Sequence, residues 1–135
     1  MKFTIYGEPV AKGRPRFSSR GGIVRSFTPA KTVNYENLVK LSFDASEEKE
    51  MLQGELSVKI IAYFSIPQST SKKKRHEMLV GRMNPTKKPD CDNVAKTILD
   101  ALNGRAFEDD KQVVVLHIEK HYDEKPRVEV EILEA

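Results

Sequence analysis

Between Glu55 and Pro67 the chain reads ELSVKIIAYFSIP, where Leu56, Val58, Ile60, Ala62 and Phe64 recur at every second position. A period of two places those five side chains on one face of a β-strand, which Pro67 stops. A strand with one apolar face is stable only against a second layer, so the rest of the chain must supply one. The strongest helical pattern runs from Asp92 to Asn103. There Val94, Ile98 and Leu102, flanked by Ala95, Leu99 and Ala101, form an apolar side, and Gly104 stands where a left-handed C-terminal residue belongs.

The remaining elements fall around these two. KFTIYG predicts a short first strand carrying Phe3 and Ile5, ended by Gly7 and Pro9. Val10 to Thr28 is rich in Gly, Ser and Arg and reads as a loop holding a short hairpin around Gly21–Gly22. Thr28 as cap and Pro29 at the first helical position start a helix to about Glu48, with Tyr35, Leu38, Val39, Leu41, Phe43 and Ala45 at helical spacing. Ser69-Thr70-Ser71 can cap a short basic helix from Lys72 to Val80, followed by a loop marked by Gly81, Pro85 and Pro89. Gln112 to Tyr122 and Arg127 to Leu133 read as a hairpin turning at Asp123-Glu124-Lys125-Pro126. The order β-α-β-α-α-β-β predicts one α+β domain over residues 1–135, with no internal repeat and no linker.

Length and composition exclude several classes. The longest purely apolar run, Ile60 to Phe64, is far too short to span a membrane, and MKFTIYGEPV turns polar too early for a secretory segment. A single cysteine, Cys91, leaves no intrachain disulfide and fits a reducing compartment. The expectation is a soluble cytoplasmic domain with no membrane partner.

Net charge is only +3, but its distribution is uneven. Six basic residues (Lys12, Arg14, Arg16, Arg20, Arg25, Lys31) and no acid lie between Pro9 and Tyr35. Seven more (Lys72, Lys73, Lys74, Arg75, Arg82, Lys87, Lys88) lie between Lys72 and Lys88 against Glu77 alone. Acids gather instead between Lys87 and Val114, where Asp90, Asp92, Asp100, Asp109 and Asp110 surround Lys96. Two basic segments beside one acidic focus point to a polyanionic ligand held near a metal site; solvated surface is the plainer reading of each basic run taken alone.

Carboxylates repel, by roughly 4 kcal/mol at 4 Å and an effective dielectric near 20, so bringing several together calls for a cation. Mg²⁺, with Mn²⁺ as substitute, suits such hard oxygen ligands and activates water beside a phosphate. On a helix starting at Asp92, that residue shares a polar face with Lys96, Asp100 and Asn103, and Lys96 can contact developing charge. Asp109 and Asp110 reach the same end only if the return from Gly104 runs back along the helix. Without such convergence, Asp92 is a helix cap, Asp100 with Lys96 a surface pair, and Asp109-Asp110 a turn.

Lys88-Pro89-Asp90-Cys91-Asp92-Asn93-Val94-Ala95-Lys96, then Leu99-Asp100-Ala101-Leu102, then Asp109-Asp110-Lys111-Gln112-Val113 resembles the ordered signature of the RusA family of Holliday junction resolvases. Gly7-Glu8-Pro9 and Lys12-Gly13-Arg14-Pro15-Arg16-Phe17 resemble the opening of phage-type members. The resemblance implies a RusA-like mixed sheet packed with helices, in a homodimer that binds branched DNA and cuts four-way junctions by paired symmetric nicks. It implies metal-binding carboxylates at Asp90, Asp92 and Asp110, with Asp109 adjacent, and an essential Lys96. The family commonly has an aliphatic residue where Cys91 stands, a place that a small buried cysteine can fill. Lys12, Arg14, Arg16, Lys72, Lys73, Lys74, Arg75 and Lys88 are the expected phosphate contacts.

Other features carry less. His117 and His121 on one strand are roughly 13 Å apart, too far for one ion, and His76 reads as a surface group. No phosphate-binding glycine loop occurs. Phe17 and Phe27 either stack on bases or anchor the loop. Two other readings stand beside the nuclease: an inactive module that holds branched nucleic acid, and a metal-dependent phosphatase, which has no need of two basic segments.

Overall fold

The chain runs through β1 (Lys2–Tyr6), β2 (Arg16–Ser18), β3 (Arg25–Phe27), α1 (Ala30–Asp44), β4 (Leu56–Ser65), α2 (Lys72–Leu79), α3 (Cys91–Leu102), β5 (Val113–Asp123) and β6 (Arg127–Glu134). This computed structural model describes residues 1–13, 16–18, 22, 25–27 and 30–135, with the backbone alone at 16–18 and 25–27. The expected cap and proline at Thr28 and Pro29, Arg14, and the side chains of Arg16, Phe17 and Phe27 lie outside the described residues. β2 and β3 pair antiparallel, Phe17 opposite Ser26, which is the hairpin expected in the glycine-rich segment.

The other four strands form one mixed sheet in the order β1-β6-β4-β5. β4 is parallel to β5 and antiparallel to β6, and β6 is antiparallel to β1. Register aligns apolar rows across the sheet: Phe3, Val130, Ile60 and Ile118 form one, and Ile5, Val128 and Ala62 another, with Lys120 at its end. Leu56, Val58, Ile60, Ala62 and Phe64 are all buried, as their alternation requires. Burying each large aliphatic of these rows stabilises the fold by about 1.5–3 kcal/mol before chain entropy is charged against it.

The last two strands are not a hairpin, contrary to the expectation from their short connection. β4 lies between them, and residues Glu124–Pro126 cross over its end. Arg127 braces the crossing through an ion pair with Asp123 and a 2.9 Å hydrogen bond to the Lys125 carbonyl. The turn residues determine that the chain reverses. Which strand fills the gap is decided by burial, and the central place goes to the strand with the longest apolar row.

α1 and α3 cover one face of the sheet. α1 turns Thr32, Tyr35, Val39 and Phe43 inward, and the Phe43 ring meets Phe3 edge-on at 5.7 Å between centroids. Leu38 and Leu41 share the helical spacing but stay outside, Leu41 being 65% exposed. α3 buries Val94, Ala95, Thr97, Ile98, Leu99, Ala101 and Leu102. Gly104 takes the left-handed conformation (φ +76°), and its N–H donates to the Phe107 carbonyl at 2.8 Å. α2 starts as expected, with the Ser71 hydroxyl accepting from the Lys74 N–H at 3.3 Å.

The opposite face of the sheet has no helix over it among the described residues. His117 and His121 project there, bonding through Nε2 to the two carboxylate oxygens of Glu119 at 2.7 and 2.9 Å. No described helix is long and apolar enough to cross a membrane.

Candidate active site

α3 carries most of the candidate site along its exposed side. Asp90 precedes the helix in an extended conformation (φ −69°, ψ 159°), and its side chain makes no capping bond. Asp90, Cys91 and Asp92 are all exposed. Cys91 was expected to be small and buried; it faces solvent because the buried stripe of α3 begins only at Val94. One turn on from Asp92, the Lys96 side chain is 63% exposed and pairs with Asp100 at 3.0 Å. Asp92, Lys96, Ala95 and Leu99 face Leu116 and Ile118 of β5 across an open depression.

Asp100 joins two lysines. Its second oxygen accepts from Lys12, which also reaches Glu36 of α1 at 3.3 Å. Partial burial pushes the Asp100 carboxyl up, but hydrogen bonds from Lys12 and then Lys96 outweigh it and hold the group below the ordinary 3.8. Partial burial likewise lowers the Lys12 ammonium, yet Asp100 and Glu36 leave it above 10.5. The Lys12 backbone exchanges hydrogen bonds with the Asn93 amide, and the Gly13 N–H donates to the buried Thr32 hydroxyl at 2.7 Å. Lys12, expected as a phosphate contact, is thus engaged in tying the start of the basic loop to α1 and α3.

Asp109 and Asp110 lie at the other end of α3. The Asn103 amide oxygen accepts the Asp110 N–H at 2.8 Å, and a single 3₁₀ turn, Asp110–Gln112, leads into β5. A reciprocal cap holds this turn. Asp109 accepts from the Lys111 N–H at 2.9 Å, while the Gln112 side-chain oxygen accepts from the Asp109 and Glu108 N–H groups at 3.1 and 3.0 Å. The Gln112 amide then donates to the Gly54 carbonyl at 3.1 Å, fixing the turn to the segment before β4. The Lys111 N–H lowers the Asp109 carboxyl, whereas partial burial and the neighbouring Asp109 raise that of Asp110.

Asp90 and Asp92 stand at the start of α3, and Asp109 and Asp110 on the turn that follows it. Asp92 and Asn103 stand eleven residues apart on one helix, about 16 Å along its axis. The return after Gly104 is tied to Asn103, and the charges of Lys96, one turn from Asp92, and of Asp100 act on the Asp110 carboxyl. Among the described residues no three His, Cys, Asp or Glu side chains close on one point. The donors still suit a hard divalent cation, because all are carboxylate oxygens and Asp110 stands in the field of Asp109 and Asp100, which a cation relieves. Lys72, Lys73, Lys74 and Lys88 are exposed, and Arg75 reaches Glu124 at 3.9 Å.

Asn93, Asn103 and Gln112 all position site residues, a role their sequence context was not read to give them, whereas Asp100 pairs with Lys96 at the expected i,i+4 spacing. For Gln112 a signal was present, since Asp109-x-x-Gln112 has capping-box spacing. The partners of Asn93 and Asn103 lie on other elements, and nothing local announces them.

The chain is similar to known proteins. It is 44% identical over 137 positions, covering all of this chain and 96% of the relative, to the uncharacterized protein YqaN of Bacillus subtilis (strain 168). Over 51 residues, 37% of this chain and 39% of the relative, it is 43% identical to the crossover junction endodeoxyribonuclease rusA of Lactococcus phage r1t. The family described as Endodeoxyribonuclease RusA matches residues 6–133, a span that contains every carboxylate above and Lys96, and the chain belongs to that family.

Proposed function

We propose that this protein is an endodeoxyribonuclease that resolves four-way DNA junctions by paired, symmetric nicks during recombination and repair, in the cytoplasm. The observation that carries the proposal is the family match over residues 6–133, with Asp90, Asp92, Lys96, Asp109 and Asp110 all present and solvent-accessible along one helix and the turn after it. Nucleases of this type generally depend on a divalent metal. Mg²⁺, or Mn²⁺ in its place, would be held by Asp90, Asp92 and Asp110, with Asp109 beside the last. Three carboxylates leave the remaining positions of a six-coordinate ion to water and substrate phosphate oxygens, the usual companions of Mg²⁺. When bound, the cation supplies charge to the phosphodiester and acidifies water for its hydrolysis.

The chain's own groups divide the remaining work. Lys96, exposed at the tip but steadied by Asp100, meets a phosphate oxygen and the charge that grows on it. Lys72, Lys73, Lys74, Arg75 and Lys88, with Arg14 and Arg16 of the basic loop, contact flanking phosphates. Two nicks in strands of like polarity need two sites, which a homodimer provides.

Cleavage of a synthetic four-way junction tests this directly. Paired nicks are expected from the native protein with Mg²⁺, and none with chelator or from Asp92→Asn. Tight binding without nicks in either Mg²⁺ or Mn²⁺ would refute the nuclease and leave a junction-binding module.

A further inference from the structure

Lys120 is out of place by the logic of its own strand. In the register of the sheet it continues the row Ile5, Val128, Ala62, whose side chains are fully buried beneath the helices. β5 is an edge strand, so the lysine stem lies over the Phe64 ring, with Nζ 5.2 Å from its centroid. Nζ also donates to the Lys87 carbonyl at 2.6 Å. The Lys87 ammonium stands over the same ring at 5.9 Å, and equally 5.9 Å from the ring of Tyr122. Two cations are thus gathered over one aromatic side chain. Neither has a carboxylate partner among the described residues, although twelve ion pairs form elsewhere in them.

Like charges held together without an acid are stabilised by an anion from outside. The location says which anion. Ile118, two residues before Lys120 on the same face, lines the depression with Asp92 and Lys96, and Lys87 lies three residues before Asp90. Beyond Lys120, β5 ends at Asp123, next to Glu124, which pairs with Arg75 of the basic helix α2.

We propose that Lys87 and Lys120 together form a binding site for a single DNA phosphate, at the end of the α3–β5 depression nearest Asp90. It rests on the DNA-binding reading above and adds two residues to it. The pair grips the strand one step from the reacting phosphate, between the depression and α2. Aromatic rings beneath the two stems set the spacing of the ammonium groups, so the site is formed before DNA arrives.

The test is equilibrium binding of a four-way junction and of linear duplex in chelator, as a function of salt, for the native protein, Lys87→Met, Lys120→Met and the double variant. Lys59→Met, on the uncovered face of β4, is the control. Methionine keeps the stem over Phe64, and thermal melts confirm folding of each variant. A contact to one phosphate contributes about 0.9 to the slope of log K against log salt. Each single variant is expected to weaken binding severalfold and lower the slope by up to about 0.9, and the double variant by no more than that, because both lysines share one phosphate. Slopes equal to that of Lys59→Met, with the native protein binding normally, overturn the site. A double variant that loses twice the slope of each single overturns the sharing. A native protein with no affinity for either DNA overturns the DNA reading itself.

Discussion

Asp100→Asn removes the carboxylate that holds Lys12 on one side and Lys96 on the other while preserving the shape of the side chain. A hydrogen bond to a charged group is worth about 1.5–3 kcal/mol in a protected setting. The Asp100 and Lys12 side chains are 20% and 27% exposed, so solvent screening trims their pair to about 1–2 kcal/mol. The more exposed Lys96 adds little, and Glu36 still offers Lys12 a partner. The expected loss at pH 7 is therefore about 1–1.5 kcal/mol, a fall in Tm of roughly 3–6 °C for a domain of this size. Its pH dependence follows from the shifted groups. Asp100 is depressed in the folded state, so its contribution is present above its ordinary 3.8 and lost as pH falls through the lower folded value. Lys12 is raised, so its contribution is present below 10.5 and lost as pH rises through the higher folded value. Urea unfolding of the native protein and the variant should show a gap that is flat through neutral pH and closes in strong acid. A double-mutant cycle with Lys12→Met should give a coupling of at least about 0.5 kcal/mol. A gap unchanged in strong acid, or a coupling of zero, refutes the assignment.

Gln112→Ala should cost about 1 kcal/mol in urea unfolding through loss of the reciprocal cap, and should lower junction cleavage more than junction binding, since the turn it holds presents Asp109 and Asp110; equal loss of both would mean the cap serves only the fold. Arg14→Ala and Lys73→Ala should each weaken junction binding and shallow its salt slope by about 0.9, with little change in cleavage rate at saturation; unchanged slopes remove those residues from the interface.

The elements legible in the chain are those whose signals are local. Alternation from Leu56 to Phe64, the apolar stripe of α3, the Ser71 cap and left-handed Gly104 each depend on neighbours within a few residues, and each stands as expected. The residues of the signature were legible too, because their order along the chain is itself the pattern that the family shares.

Tertiary structure decided the rest. Local turn chemistry predicts that β5 and β6 are joined closely, but only burial across the sheet puts β4 between them. Spacing leaves open where Asp109 and Asp110 lie, and the hydrogen bond from the Asp110 N–H to Asn103 sets their turn beside the end of α3, with the Asp110 carboxyl in the field of Lys96 and Asp100. Composition offers Lys12 to a phosphate, whereas the packing of its segment against α1 and α3 commits it to Asp100 and Glu36. Nothing local in the sequence marks Lys120; register sets it at the end of an apolar row, with its ammonium over Phe64. Periodicity acts over a few residues and can be read from the chain. Partners far apart in sequence are chosen by which surfaces bury best together, and that choice exists only in the folded protein.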